Sequence, residues 1–102
     1  MSGPVLDPLI HAPGRLQICA MLSVADEVEF GVLRDGVGVS DSVMSKHVKQ
    51  LEEAGYVRVK KATFAGRQRT WLALTGAGKA AFASHVAELT RLAGLAGVPV
   101  GG

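Results

Sequence analysis

Gly55 separates two kinds of periodicity. Before it, Met44, Val48 and Leu51 recur at i, i+4 and i+7, the spacing of one buried stripe on an α-helix. After it, Tyr56-Val57-Arg58-Val59-Lys60-Lys61 alternates apolar and basic side chains, which is the period of a strand. The helix is predicted from Asp41 to about Ala54. Ser40 stands as its N-cap, Val39 as the staple residue before the cap, and Gly55 as its C-terminal stop. With the apolar stripe turned inward, Ser42, Ser45, Lys46, Lys49 and Gln50 fall on the opposite, exposed face.

The strand predicts a partner. Ala65-Gly66 reads as a turn, and Arg69 to Leu74 alternates again, with Thr70, Leu72 and Leu74 on one face and Trp71 and Ala73 on the other. Thr75 then caps a last helix whose apolar set is Ala80, Ala81, Phe82, Val86, Leu89, Leu92 and Ala93. Gly94, Gly97 and Pro99 mark a fraying end, so residues 95–102 are expected as a tail, like residues 1–4. Upstream, Val5 to His11 predicts a turn of helix. Pro13 opens a longer helix through Ser23, apolar enough to be buried on more than one side. Val28-Glu29-Phe30 fits a very short strand or the start of a helix, and Gly31 to Asp35 a brief helix punctuated by Gly36 and Gly38. The expected fold class is α+β, mainly helical, in one domain spanning 1–102.

Charge is distributed unevenly along the chain. Between residues 41 and 79 lie Lys46, Lys49, Arg58, Lys60, Lys61, Arg67, Arg69 and Lys79, against Asp41, Glu52 and Glu53. The remainder is acidic, so the net charge of +2 conceals a basic segment suited to a polyanion. A polar-faced helix followed by a basic hairpin is the order in which a helix enters the major groove while a hairpin reaches flanking DNA. On that face Lys46 and Lys49 are expected to contact phosphates or a base edge, Ser42 and Ser45 to donate to phosphates or bases, and Val43 to meet a thymine methyl, the alternative for all five being an ordinary solvated helix surface. Arg67 at the wing tip is suited to a narrow minor groove, with Arg69 behind it. Lys60 and Lys61 flank the phosphates. Arg58 joins them or pairs with Glu52 or Glu53, and His47 completes the packing or reaches a phosphate.

The stretch Val39-Ser-Asp-Ser-Val-Met-Ser-Lys-His-Val-Lys-Gln-Leu-Glu-Glu-Ala-Gly-Tyr-Val resembles the recognition-helix signature of MarR- and ArsR-type bacterial regulators. Gly66-Arg-Gln-Arg-Thr-Trp-Leu-Ala-Leu-Thr-Gly-Ala-Gly-Lys resembles the wing and following helix of short MarR-like winged-helix proteins. The resemblance covers roughly residues 5–93. It implies a winged helix-turn-helix with a two-stranded wing and terminal dimerisation helices, bound as a homodimer to two-fold-related double-stranded DNA. It also implies that Ser42, Val43, Ser45, Lys46 and Lys49 face the major groove and that Arg67 and Arg69 belong to the wing. The chain is shorter than full-length MarR regulators, without room for their long terminal helices and the effector pocket between them, so a small-molecule effector is left open.

Other chemistry is expected to be absent. The lone Cys19 excludes an internal disulfide and reads as a core thiol, with redox sensing the lesser alternative. His11, His47, His85 and Cys19 have no metal-ligand spacing. Gly76-Ala77-Gly78 lacks the third glycine of a dinucleotide site. No paired carboxylates or nucleophile–base set points to an enzyme, and no cofactor is expected. No leader or membrane span is visible. The expectation is a cytoplasmic, nucleoid-associated regulator, more readily a repressor by promoter occlusion than an activator. The alternative is a winged-helix module that docks another protein and no DNA.

Overall fold

Three capped helix starts set the frame of the computed structural model, which describes residues 5–97. Asp7 opens α1 (Pro8–His11) by accepting from the amides of Leu9 and Ile10. Ser40 Oγ accepts from Val43 N at 3.2 Å and opens α4 (Asp41–Glu53). Thr75 Oγ1 accepts from Gly78 N at 3.0 Å and opens α5 (Gly76–Leu95). Each cap satisfies an amide that the helix itself leaves without a partner. Between them run α2 (Pro13–Ser23), the short β1 (Val28–Glu29) and α3 (Phe30–Val37). The hairpin β2 (Val57–Phe64) and β3 (Arg67–Leu74) follows α4. Gly38 closes α3 and Gly55 follows α4, each with φ near +80°. Beyond Gly55 the amide of Tyr56 bonds back to Leu51 O, which ends the helix and aims the chain into β2.

The sheet is antiparallel with order β1-β3-β2. In register, Val57 faces Leu74 and Phe64 faces Arg67, while Val28 of β1 pairs with Leu72. The core lies where this sheet meets the helices. Ile10, Ile18, Cys19, Leu22, Leu33, Met44, Leu51 and Leu72 are essentially free of solvent contact. Burying each of the larger aliphatic side chains stabilises the fold by roughly 1.5–3 kcal/mol.

The structure corrects several expectations. The wing hairpin belongs to a three-stranded sheet, because Val28–Glu29 adds a strand before Phe30 starts α3. Both wing strands run closer to the turn than Lys61 and Arg69 implied, leaving only Ala65 and Gly66 between them. Helix α2 is buried on one face, Ile18, Cys19 and Leu22, while Gln17, Ala20 and Ser23 are exposed. Gly94 does not end α5, which continues to Leu95, so the expected tail begins later. The rest of that tail, from residue 98, and residues 1–4 lie outside the described residues. On α5 the expected apolar set is only partly inward, with Ala80, Val86 and Leu92 exposed, and the fully buried side chain there is His85.

Candidate nucleic-acid interface

Helix α4 is anchored from behind. Met44, Val48 and Leu51 are buried, as the periodicity requires. Arg15 of α2 donates to Gln50 Oε1 at 2.8 Å and to the carbonyl of Leu9, and its guanidinium lies 3.4 Å from His47 Nδ1. At the helix start, Arg34 of α3 binds Asp41 at 2.6 Å and Asp35 at 3.0 Å. The His47 ring packs so closely on α2 that a Cβ on Gly14 would come within 2.6 Å of it. Burial, then the charges of Arg15 and Lys46, hold the His47 pKa below its ordinary value, so the ring is a neutral packing group at neutral pH. Gln50, expected on the exposed face, is turned toward Arg15 instead.

This anchoring leaves one outward surface. Ser42, Val43, Ser45, Lys46 and Lys49 are all exposed on it. Between α4 and the sheet runs a cleft of about 410 Å³, into which Lys49 and Ser45 project from the helix and Lys61 and Thr70 from the wing. Asp41 and Glu52 also line it, so acidic, basic and hydroxyl groups share its walls.

Strand alternation divides the basic wing residues. Lys61 shares a face with Val57, Val59, Thr70 and Leu72, the face turned to α4. Arg58, Lys60, Arg67 and Arg69 lie on the other face with Trp71 and Phe64. There Lys60 pairs with Glu27 at 3.1 Å and Arg69 with Glu29 at 3.0 Å. Arg69 is half-buried, and its guanidinium carbon lies 5.8 Å from the centre of the Phe64 ring. Arg58 makes none of the ion pairs found among the described residues, so the expected pairing with Glu52 or Glu53 is not formed. Lys46, Lys49, Lys61 and Arg67 are likewise without a carboxylate partner among the described residues, and all four are exposed. The sequence-predicted set therefore separates into cations open to a polyanion and two, Lys60 and Arg69, engaged with acids of the β1 region.

Three features were not read from the sequence. The Arg15 clamp on α4 joins residues far apart in the chain. Phe64 at the wing tip required the strand to be followed to its turn. The third is a half-buried polar knot joining the N-terminal segment to α5. There the Asp7 amide donates to His85 Nδ1 at 2.9 Å, and Tyr56 Oη donates to Asp7 Oδ2 at 2.6 Å. Cys19 lies in the core beside this knot. Burial, with the charge of Asp7, pushes its thiol up to about 11, which is unsuited to a reactive thiolate. No group of three or more potential metal-ligating side chains occurs among the described residues, and none of their helices is long and apolar enough to cross a membrane.

Comparison with known proteins agrees with this geometry. A family model described as a winged helix DNA-binding domain matches residues 15–93. An uncharacterized protein of Methanocaldococcus jannaschii is 33% identical over 78 residues, covering 76% of this chain and 85% of its own. Among solved structures, a transcriptional regulator homologue from Pyrococcus horikoshii OT3 superposes with a TM-score of 0.76 at 23% identity, over 82% of this chain and 83% of that one. A MarR family transcriptional regulator from Silicibacter pomeroyi superposes with a TM-score of 0.68 at 27% identity, over 86% of this chain and 58% of that one.

Proposed function

We propose that this chain, which belongs to the winged helix DNA-binding domain family, is a MarR-like transcriptional regulator that reads double-stranded DNA with α4 in the major groove and the wing on the flanking duplex. The observation that carries the reading is the two-sided build of α4. Its inner side is fixed by Met44, Val48, Leu51 and the Arg15 clamp, while its outer side offers Ser42, Val43, Ser45, Lys46 and Lys49 to solvent. A helix held this firmly loses little freedom when it docks, so the binding energy is not spent on ordering it.

In this reading Lys46 and Lys49 take phosphates, and Lys61 meets the same strand from across the cleft. Ser42, Val43 and Ser45, toward the N-terminal end of α4, reach base edges. Arg67 enters the adjacent minor groove. Lys60 exchanges Glu27 for a phosphate, since that pair is exposed and such pairs are worth at most about 1 kcal/mol. Arg69 stays with Glu29 and supports the tip beside the duplex.

The regulator acts as a homodimer that occludes a promoter. Support comes from the exposed apolar pair Leu92 and Leu95 near the end of α5, with Val5 and Leu6 exposed in the segment whose Val5 amide bonds Ser84 Oγ of that helix. Gel-shift titrations with duplexes selected from a random pool and with mixed-sequence duplexes test the function. Binding that prefers the selected sites and weakens steeply with salt is expected. No complex at low salt sinks the proposal.

A further inference from the structure

Phe64 ends β2 at the free end of the wing, directly opposite Arg67, the first residue of β3. Ala65 and Gly66 join them with φ of 51° and 77°. Two successive positive φ values are those of the tight hairpin turn whose twist matches its strands, so the tip is a defined object. Every residue from Thr63 to Gln68 is exposed, and Phe64 is 67% exposed. At a rise of about 3.3 Å per residue, the ring stands roughly 20 Å beyond the Val57–Leu74 end of the hairpin, where the core begins.

An isolated apolar residue on a surface needs no explanation. The surroundings of this one give it a direction. Arg67 is its cross-strand neighbour and is exposed. The Arg69 guanidinium lies over its ring and is held from the far side by Glu29. An aromatic ring at the end of a rigid turn, flanked by guanidinium groups, combines an apolar wedge with the charge that brings it to a phosphate-walled groove. Wedges of this chemistry enter the minor groove, part a base step and kink the duplex.

We propose that Phe64 is such a wedge: it enters the minor groove beside Arg67, partly unstacks one base step and bends the DNA. The inference rests on the DNA-binding reading above and adds a deformation to it. It also adds a sequence preference that no hydrogen bond supplies. Pyrimidine–purine steps unstack most easily, so a TA or CA/TG step belongs at the wing position of a bound site.

The test compares the wild type with Phe64→Ala and Phe64→Leu, using duplexes that the wild type selects from a random pool. Affinity is measured across a salt series, and bending by energy transfer between dyes on the duplex ends. The wild type bends its site and selects a flexible step at a fixed distance from the centre. Phe64→Ala binds about tenfold more weakly, leaves the duplex near straight and loses the step preference, because base–aromatic contact is lost. Its salt slope is unchanged, since no cation has been removed. Phe64→Leu keeps most of the bend. Equal affinity and bending in Phe64→Ala and wild type overturn the wedge. So does a loss of affinity accompanied by a lower melting temperature or a smaller salt slope, which would trace the effect to a disturbed wing. A changed oligomeric state in Phe64→Ala overturns it as well, by assigning the ring to a second copy of the chain. A wild type that binds no duplex overturns both this inference and the reading beneath it. A wild type that binds without bending overturns the wedge alone.

Discussion

His85 is the side chain whose position the sequence disguised most. It lies on α5 among residues read as an apolar stripe, and it is fully buried. Nδ1 accepts from the Asp7 amide, so a ring protonated there would set two N–H groups against each other. Burial and the nearby His11 lower its pKa against the opposing charge of Asp7. The unfolded chain takes up a proton on this residue near pH 6.5, which the folded ring refuses until lower pH. Stability is therefore complete above about pH 6.5 and falls as the pH drops toward the folded value. His85→Gln is expected to flatten the fall in urea midpoint between about pH 7.5 and 5.5, leaving the share that His47 contributes with the same sign. A wild-type midpoint that does not change over that range would contradict the assignment. Asp7 acts in a lower window. Burial raises its pKa, but the bonds from Tyr56, Ile10 and Leu9 outweigh that and hold it below the ordinary carboxylate value. Its contribution is present above about pH 4 and lost as the pH falls through the folded value.

Gly78 is a second residue with a steric reason. A Cβ there would lie 2.0 Å from the carbonyl oxygen of Tyr56, which is backbone and cannot swing aside. Gly78→Ala gains helix propensity of about 1 kcal/mol, yet forces α5 off the end of the sheet. The overpacking costs about 1–3 kcal/mol and is expected to dominate, lowering the melting temperature by several degrees. An unchanged or raised melting temperature would show that α5 shifts freely. In sequence Gly78 was visible only as part of a glycine pair, because the atom it must avoid lies on Tyr56, in the link between α4 and β2.

Elements were legible where one local signal set them. Helix α4 was read almost to the residue, because its stripe, its Ser40 cap and its Gly55 stop all lie within the helix or beside it. The wing was read too short. Lys60-Lys61 interrupts the apolar alternation, and no buried residue recurs between Val59 and Thr70 to show that pairing continues to the turn. Register reveals it, and with it the division of Lys61 from Lys60 that composition alone merges. Gln50 was misplaced because its partner, Arg15, is on another helix. That clamp can be tested. Arg15→Ala leaves the Gln50 amide oxygen and the Leu9 carbonyl without their donor, at an expected cost of about 1–3 kcal/mol in chemical denaturation. Affinity for DNA should fall as well, although Arg15 lies behind α4. A variant with unaltered stability would remove the clamp from the account.

At the scale of the molecule, the terminal segments and the reading surface divide the labour. Segment 5–11 is bonded to α5 through Ser84 and His85 and to α2 through Leu9 and Arg15. Burial of the exposed α5 residues thus falls to a second copy in the proposed homodimer. Light scattering at micromolar concentration should report a dimer, and Leu92→Glu with Leu95→Glu should shift it toward monomer. A wild-type monomer at that concentration would refute the dimer while leaving the reading face intact. The family was legible because its two motifs lie within the chain, on the recognition-type helix and the hairpin that follows it. The mode of assembly was less so, because residues that seal a dimer and residues that fill a core have the same chemistry.

The central claim is that the outer face of α4 meets DNA phosphates, and the salt dependence of binding tests it most directly. Each phosphate contact contributes about 0.9 to the slope of log affinity against log salt. The combined change Lys46→Ala and Lys49→Ala removes two contacts from each protomer, so it should weaken binding to every duplex alike and lower the slope of the dimer by about 3.6, without altering the melting temperature of the free protein. A double variant that binds with the wild-type affinity and slope would contradict the account.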